Sequence, residues 1–369
     1  MATRAAVLTG LDQPLVIRDD VEVEAPRAGE VRVRVAACGV CRSDLSMQDG
    51  TLPVPMPAVL GHEASAIVVE VGPDVTDLAP GDHVVVSWVP QCGACFFCRR
   101  GQPQLCQAAD VVLLAGGLLD GTPRLRLDGA PLFQMSGTGT FAEETVVPAC
   151  AAVKIPHDLP LDIAALLGCA VLTGVGAALN TATIRPGDAV AVVGCGGVGL
   201  NIIQGARIAG AEMIVAIDVS PAKLATAEAF GATHTVDATR VGPANAVRDL
   251  TGQRGADVAF EALGIATTIE QTIDMTRRGG QAVLVGIPRL DVMLTLPAML
   301  GIVLQERAIK GCWYGSSDIR RDVPRLIDFY RDGRLLLDEL VTRRIDLAGV
   351  NEALRAMKAG EVARSVIVY

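Results

Sequence analysis

Residues 189–193, AVAVV, form a short apolar run that ends in Gly194-Cys195-Gly196-Gly197-Val198-Gly199. Residues 200–210, LNIIQGARIAG, then carry a helical apolar pattern. A lone G-x-G-x-x-G is weak evidence, but here it follows a buried strand and opens a helix, where the chemistry requires it. The glycines permit a tight turn and let the backbone approach a pyrophosphate. The helix N-terminus adds free N–H groups and a partial positive charge. A second apolar run, residues 213–217, ends in Asp218, 19 residues after Gly199. A carboxylate at that place accepts hydrogen bonds from the adenosine ribose hydroxyls and repels a 2′-phosphate, which selects NAD over NADP.

Further strands are predicted at 234–236, 257–262, 281–286 and 308–312, with helical segments between them. Six strands joined this way make a doubly wound parallel sheet, an α/β fold. The first ~165 residues read differently, with short alternating runs such as EVRVRVA and HVVV between Gly and Pro turns. That is the pattern of an antiparallel β domain. The C-terminal stretch returns to mixed helix and strand and ends in the strand RSVIVY. The length, 369 residues, fits this division into two domains, at roughly 100–200 residues each.

Cys92, Cys95, Cys98 and Cys106 fall in the run CGACFFCRRGQPQLC. Four thiolates this close converge on one ion with little chain-closure cost, as in a closed tetrahedral zinc site; an iron–sulfur cluster is the alternative. Cys41, in ACGVCRSDL, His62 with Glu63, in VLGHEAS, and Cys169, in LLGCAVLTG, form a dispersed second group. Taken singly, each also suits a turn or a small core residue. Cys38, Cys150, Cys195, Cys312, His83, His157 and His234 read as ordinary thiols and imidazoles.

The net charge is −9, and no basic run or stripe is present, which excludes a nucleic-acid partner. Met1–Gly10 has no long apolar stretch and reads as a first strand rather than a signal peptide, so the expected location is cytoplasmic. Residues 163–179 lack charge but are short for a membrane span. They read as a helix buried in a soluble core.

In order along the chain, CGVCRSDL, GHE, GDHVVV, PQCGAC, LLGCAVLTGVGAALNTA, GCGGVG and the Asp218 strand match one family. Over nearly its full length the chain resembles the zinc-dependent medium-chain alcohol dehydrogenases. The resemblance implies a Rossmann domain inserted into a discontinuous GroES-like β domain. The implied boundaries are a catalytic domain at 1–170 with a zinc lobe near 90–110, the NAD-binding domain at 171–312, and a return at 313–369. It also implies two zinc ions per subunit. By position, Cys41, His62 and Cys169 would hold the catalytic zinc, and Cys92, Cys95, Cys98 and Cys106 the structural one. Glu63 corresponds to the acid near the catalytic metal, Asp44 to the carboxylate holding the His62 ring, and Ser43 to the hydroxyl that bonds the substrate oxygen. Thr173 corresponds to a residue beside the nicotinamide, Arg42 and Arg364 to pyrophosphate contacts, and Lys223, with Asp218, to ribose contacts.

Two positions depart from the family pattern. Ser46 stands where a histidine often ends the proton relay, and Ala66 where glycine is usual. Trp88, Val111, Met135 and Ile287 correspond to the substrate pocket and imply an apolar slot. Asp110 stands where the glutathione-linked formaldehyde branch has an arginine, which argues against glutathione as substrate. The long segment DVVLLAGGLLDGTPRLRLDGAPLF implies a homodimer. The same loop resembles that of nicotinoprotein and thiol-linked formaldehyde dehydrogenases, so a permanently held NAD(H) is the alternative activity. A non-catalytic dinucleotide-binding protein is the third reading.

Overall fold

The computed structural model describes residues 1–360 and 364–369. The chain forms two compact units. One comprises Met1–Ala170, Asp318–Asp328 and Leu337–Tyr369; the other comprises Val171–Ser317 and Phe329–Leu336.

The first unit is the GroES-like one. Ala2–Leu8, Val16–Val23, Leu125–Leu127, Ala130–Gln134 and Ala58–Val59 close a small barrel. A second sheet orders Ala152–Lys154, His83–Val86, Ala64–Val71, Glu30–Gly39, Ser365–Val368 and Arg343–Ile345, with Glu144–Pro148 also paired to Glu30–Gly39. The C-terminal strand RSVIVY thus completes a sheet begun more than 300 residues earlier. Val7, Leu60, Val84, Phe141 and Ile367 meet in the core. Pairing is mostly antiparallel, as the alternating runs predict. Ala58–Val59 with Ala130–Gln134, and Arg343–Ile345 with Ser365–Val368, are parallel exceptions.

The second unit is the Rossmann one. Its sheet orders His234–Asp237, Met213–Asp218, Ala189–Val193, Ala256–Glu261, Thr276–Leu284 and Ala308–Gly311, every neighbouring pair parallel. All five residues of Ala189–Val193 are buried, which explains its unbroken apolarity. Register aligns Val193 with both Ile217 and Glu261, so the glycine turn, Asp218 and Glu261 line one carboxyl edge. Ligands of doubly wound sheets bind at that edge.

The uncharged run 163–179 is not the single helix its composition predicts. Helix Leu161–Ala164 passes through a 3₁₀ turn, Ala165–Gly168, to Cys169, whose φ of −144° and ψ of −79° interrupt it. Ala170–Gly176 and a wider turn, Ala177–Thr181, follow. A Cβ on Gly168 would lie 2.8 Å from the Val86 carbonyl oxygen, so close passage over the neighbouring strand holds the break. Among the described residues no single helix is long and apolar enough to cross a membrane.

Candidate active site and metal centres

Cys41 leaves the strand Glu30–Gly39 and caps the helix Arg42–Gln48 in extended backbone geometry. Asp44 reaches back over this turn. Its Oδ2 accepts the Cys41 N–H at 2.8 Å, and its Oδ1 accepts the Gly61 N–H at 3.2 Å and lies 3.1 Å from His62 Nδ1. Gly61 makes the loop possible: its φ is +90°, and a Cβ there would meet Phe141 at 2.6 Å. Because Nδ1 faces Asp44, Nε2 is left as the donor of His62.

The break at Cys169 delivers the third group. The donor atoms of Cys41, His62 and Cys169 all lie within 4.8 Å of one another, and all three residues are buried. Hydrogen bonding from Cys169 is the main effect that holds the Cys41 thiol well below its usual range, and Cys41 in turn pushes Cys169 up. Burial pushes His62 down, but Asp44 and Cys41 outweigh it and hold the imidazole above its usual value. One thiol is therefore poised to ionise next to an oriented imidazole. A catalytic zinc takes three soft or borderline protein donors, and this donor set fits that requirement.

Behind these groups lies Glu63, fully buried, with Arg364 Nη1 at 3.2 Å. Burial pushes the Glu63 carboxyl up to about 8, against the pull of Arg364. Arg364 also donates to the Val40 carbonyl at 3.0 Å. Its guanidinium is thus engaged inside the metal unit, a partnership that its predicted pyrophosphate role gave no sign of. Ser43 Oγ is 4.0 Å from Cys41 Sγ and half-buried, Arg42 is exposed, and Ser46 is half-buried. Trp88 stands edge-on to His62 with ring centroids 6.4 Å apart. Met135 is buried in the same unit, whereas Val111, on helix Gln107–Ala115, and Ile287, in the other unit, are exposed.

The second cysteine group is local. Cys95 caps the short helix Phe96–Arg99, and Cys106 caps Gln107–Ala115. The sulfurs of Cys92, Cys95, Cys98 and Cys106 lie within 4.8 Å of one another, and the Cys92 N–H points at Cys106 Sγ. Backbone N–H groups of Cys98 and Gln107 lower the Cys95 thiol to about 6. Four converging thiols with no free position suit a closed structural zinc.

In the Rossmann unit the glycines of the turn have distinct duties. Gly194 has φ +95°, and a Cβ on it would strike Leu263 at 2.7 Å. A Cβ on Gly199 would lie 1.8 Å from the Gly194 carbonyl oxygen. Gly196 caps the helix Gly197–Ala209 and faces open space. Gly197 and Val198 form the first helical turn, with their N–H groups free of intrahelical partners. This is a cradle for a pyrophosphate, and it fits NAD. Asp218 Oδ2 accepts the Cys195 N–H at 2.9 Å and Oδ1 the Ser220 N–H at 3.0 Å, so the carboxylate is already oriented. Lys223 lies half-buried on the next helix, Pro221–Ala229, and Thr173 half-buried on Ala170–Gly176.

A zinc-fitted thiolate–imidazole triad, a closed four-cysteine lobe and a dinucleotide cradle together define a metal-dependent, dinucleotide-dependent dehydrogenase. Comparison with known proteins agrees. The alcohol dehydrogenase GroES-like domain family matches residues 27–157, and the zinc-binding dehydrogenase family matches residues 197–332. The S-(hydroxymethyl)glutathione dehydrogenase of Paracoccus denitrificans is 38% identical over 100% of both chains. Among solved structures, an alcohol dehydrogenase zinc-binding domain protein from Burkholderia ambifaria superposes with TM-score 0.95 at 35% identity, over 100% of this chain and 99% of its own. The benzyl alcohol dehydrogenase of Acinetobacter calcoaceticus gives TM-score 0.94 at 30% identity, with the same coverage. The chain belongs to the zinc-dependent medium-chain alcohol dehydrogenases, and it is a zinc- and NAD-dependent oxidoreductase that interconverts alcohols with aldehydes or ketones.

One buried carboxylate at the carboxyl edge of the Rossmann sheet escaped the sequence reading. Glu261 ends the apolar run ADVAFE as Asp218 ends its own, and that shared placement at a parallel strand's carboxyl end was the available signal.

Proposed function

We propose that the metal-containing unit binds an apolar primary or aromatic alcohol at the Cys41–His62–Cys169 centre, and that the Rossmann unit holds the NAD that accepts its hydride. The observation that carries this reading is the buried convergence of those three donors, with Asp44 fixing the imidazole. When bound, zinc supplies Lewis-acid polarisation of the substrate oxygen, and NAD accepts the hydride. The residues of the chain do the rest. Cys41, His62 and Cys169 hold the metal, and Asp44 keeps His62 in one tautomer. Ser43 takes the hydroxyl proton and passes it towards solvent. With Ser46 in place of an imidazole, no side-chain base stands at that position to end this route. In the Rossmann unit, Asp218 and Lys223 would bind the cofactor's adenosine ribose and Thr173 would contact its nicotinamide. In the metal-containing unit, Arg42 and Arg364 carry the charge for pyrophosphate contacts, with Arg364 held by Glu63. Trp88, Met135 and Val111 supply apolar surface in the metal-containing unit, with Trp88 edge-on to His62, and Ile287 supplies it in the Rossmann unit.

A specific observation keeps a second substrate in view. The Paracoccus relative is named for S-(hydroxymethyl)glutathione, an anionic thiol adduct. Asp110, exposed in the first turn of Gln107–Ala115, would repel the carboxylates of such an adduct, which favours the neutral alcohol. Turnover of an alcohol panel against the glutathione adduct, both with NAD, decides between them. A cofactor-release assay on the denatured protein tests whether NAD(H) is permanently bound.

A homodimer is the fitting assembly. Leu290, Met293, Met299, Leu300, Val303 and Leu304 are each more than half exposed in the Rossmann unit, in one stretch leading to the edge strand Ala308–Gly311. A patch of this kind, next to an unpaired strand edge, matches a second copy of the same surface. Light scattering that gives a monomer mass would refute the dimer. Ten free cysteines among the described residues suit the reducing cytoplasm.

A further inference from the structure

A carboxylate unused by the mechanism above lies at the carboxyl edge of the Rossmann sheet. Glu261 is fully buried. Its main-chain carbonyl accepts the N–H groups of Val285 at 2.8 Å and Gly286 at 2.9 Å. Its side chain accepts the N–H of Leu263 at 3.0 Å, the N–H of Gly264 at 2.9 Å and 3.0 Å on its two oxygens, and the Thr268 hydroxyl at 2.7 Å. One residue therefore ties the loop that follows its own strand to the loop that follows Thr276–Leu284.

The glycines around it show how tightly these loops are set. A Cβ on Gly286 would fall 2.1 Å from the Gly264 nitrogen and 2.6 Å from Glu261 Oε2. Gly264 has φ +78°, and its Cβ would lie 2.3 Å from the Ile287 carbonyl oxygen. At the other end of the loop, Leu263 is the residue that a Cβ on Gly194 would strike. The chain from Glu261 thus runs through Leu263 to the first glycine of the dinucleotide turn, and through Gly264 to Ile287.

Burying a carboxylate is unfavourable unless it is well bonded, and an apolar residue could end this strand without that penalty. What the carboxylate adds is the capacity to gather several donors from one short loop by charge-assisted bonds. We propose that Glu261 is a positioning residue for the cofactor. By pinning Leu263 and Gly264, it holds Leu263 against Gly194 and fixes the shape of the turn that receives the pyrophosphate. The N–H groups of Leu263 and Gly264 are spent on Glu261, so phosphate recognition falls to the turn itself. Loosening the pin lets Leu263 leave Gly194, and the turn then relaxes from its binding shape.

This inference rests on dinucleotide binding at the glycine turn. The test is a fluorescence titration of the zinc-loaded protein with NADH, alongside steady-state kinetics with NAD. Glu261→Gln keeps the volume but turns an amide donor towards the Gly264 N–H. It should raise the NADH Kd about tenfold or more. The KM for NAD should rise in parallel, while kcat at saturating NAD falls far less. Thr268→Val removes one bond to the same carboxylate and should weaken NADH severalfold, and Thr268→Ser should restore it. If Glu261→Gln fails to fold, the threonine pair decides. Wild-type NADH affinity in folded Glu261→Gln or Thr268→Val overturns the proposal. So does a loss of thermal stability and kcat with KM for NAD unchanged, because that marks a purely structural role. A wild-type protein that binds no NADH overturns the dinucleotide reading itself.

Discussion

Asp44 and His62 are 18 residues apart in sequence, and their Oδ1 and Nδ1 atoms are 3.1 Å apart in a buried site. The same carboxylate also accepts the N–H groups of Cys41 and Gly61. It therefore fixes the backbone of one proposed metal ligand, Cys41, and both the ring of the other, His62, and the backbone beside it. Asp44→Asn keeps the shape but removes the charge, and its amide nitrogen must face a donor. Loss of such an outer partner weakens metal binding by about 10–100-fold. Competition with a chelator should show the weakening, with the four-cysteine metal unaffected.

The two metal groups should respond differently to loss of a ligand. Elemental analysis should give two zinc ions per subunit, from the two donor sets. Cys98→Ser removes one of the four thiolates proposed to hold a structural zinc, so solubility or thermal stability should fall. Cys169→Ala leaves Cys41 and His62 as an incomplete set, so one zinc should be lost. Alcohol oxidation should fall by orders of magnitude while NADH binding persists. Full turnover in Cys169→Ala would exclude the metal from the chemistry.

Asp218→Gly removes more than the proposed ribose contact, because Asp218 also receives the Cys195 and Ser220 N–H groups. Affinity for NAD should drop, and the repulsion of a 2′-phosphate disappears. The NAD:NADP ratio of kcat/KM should shift about tenfold to hundredfold towards NADP, the scale of one hydrogen bond to a charged group. An unchanged ratio would show that selectivity lies elsewhere.

Gly199→Ala would place a methyl group 1.8 Å from the Gly194 carbonyl oxygen, a contact that only backbone displacement relieves. The variant should lose NADH binding but keep both metals, because the turn and the metal donors lie in different units. Calorimetry with NADH and metal analysis on one sample would check both parts.

Ser43→Ala should retain zinc and NADH affinity but reduce turnover about 10²–10⁴-fold, the range for a positioned proton-transfer group. Ser46→His supplies the imidazole that the family pattern described above implies at this position, and should leave the rate equal or higher. A solvent isotope effect that changes in Ser43→Ala would tie the loss to proton movement.

Signals that repeat over a few residues were legible in the sequence. The AVAVV strand, the glycine turn and Asp218 declare a dinucleotide cradle because strand burial, turn conformation and helix start are all set within about thirty residues. Cys92, Cys95, Cys98 and Cys106 declare a metal because nearby thiols converge with little loss of chain freedom. Cys41, His62 and Cys169 are different. Each alone suits a turn or a core, and family resemblance rather than spacing grouped them.

What joined them was tertiary. The run 163–179 has the composition of one helix, and helix propensity acts over single turns. Gly168 leaves no space for a Cβ beside the Val86 carbonyl, and the helix breaks at the next residue, Cys169. Arg364 and Glu261 teach the same lesson about charge. Their residue types were readable, but their partners were not, because a buried charge takes whichever counter-charge or donors the fold brings within reach. For Arg364 these are Glu63 and Val40, and for Glu261 the N–H groups of Leu263 and Gly264 with the Thr268 hydroxyl. By itself the sequence determined the doubly wound sheet, the dinucleotide turn and the four-cysteine metal lobe, since local geometry dictates these, while the GroES-like domain came from the family resemblance. The tertiary structure decided which ligands meet, where a helix breaks and which carboxylate each buried donor faces, since those depend on contacts between segments distant in the chain.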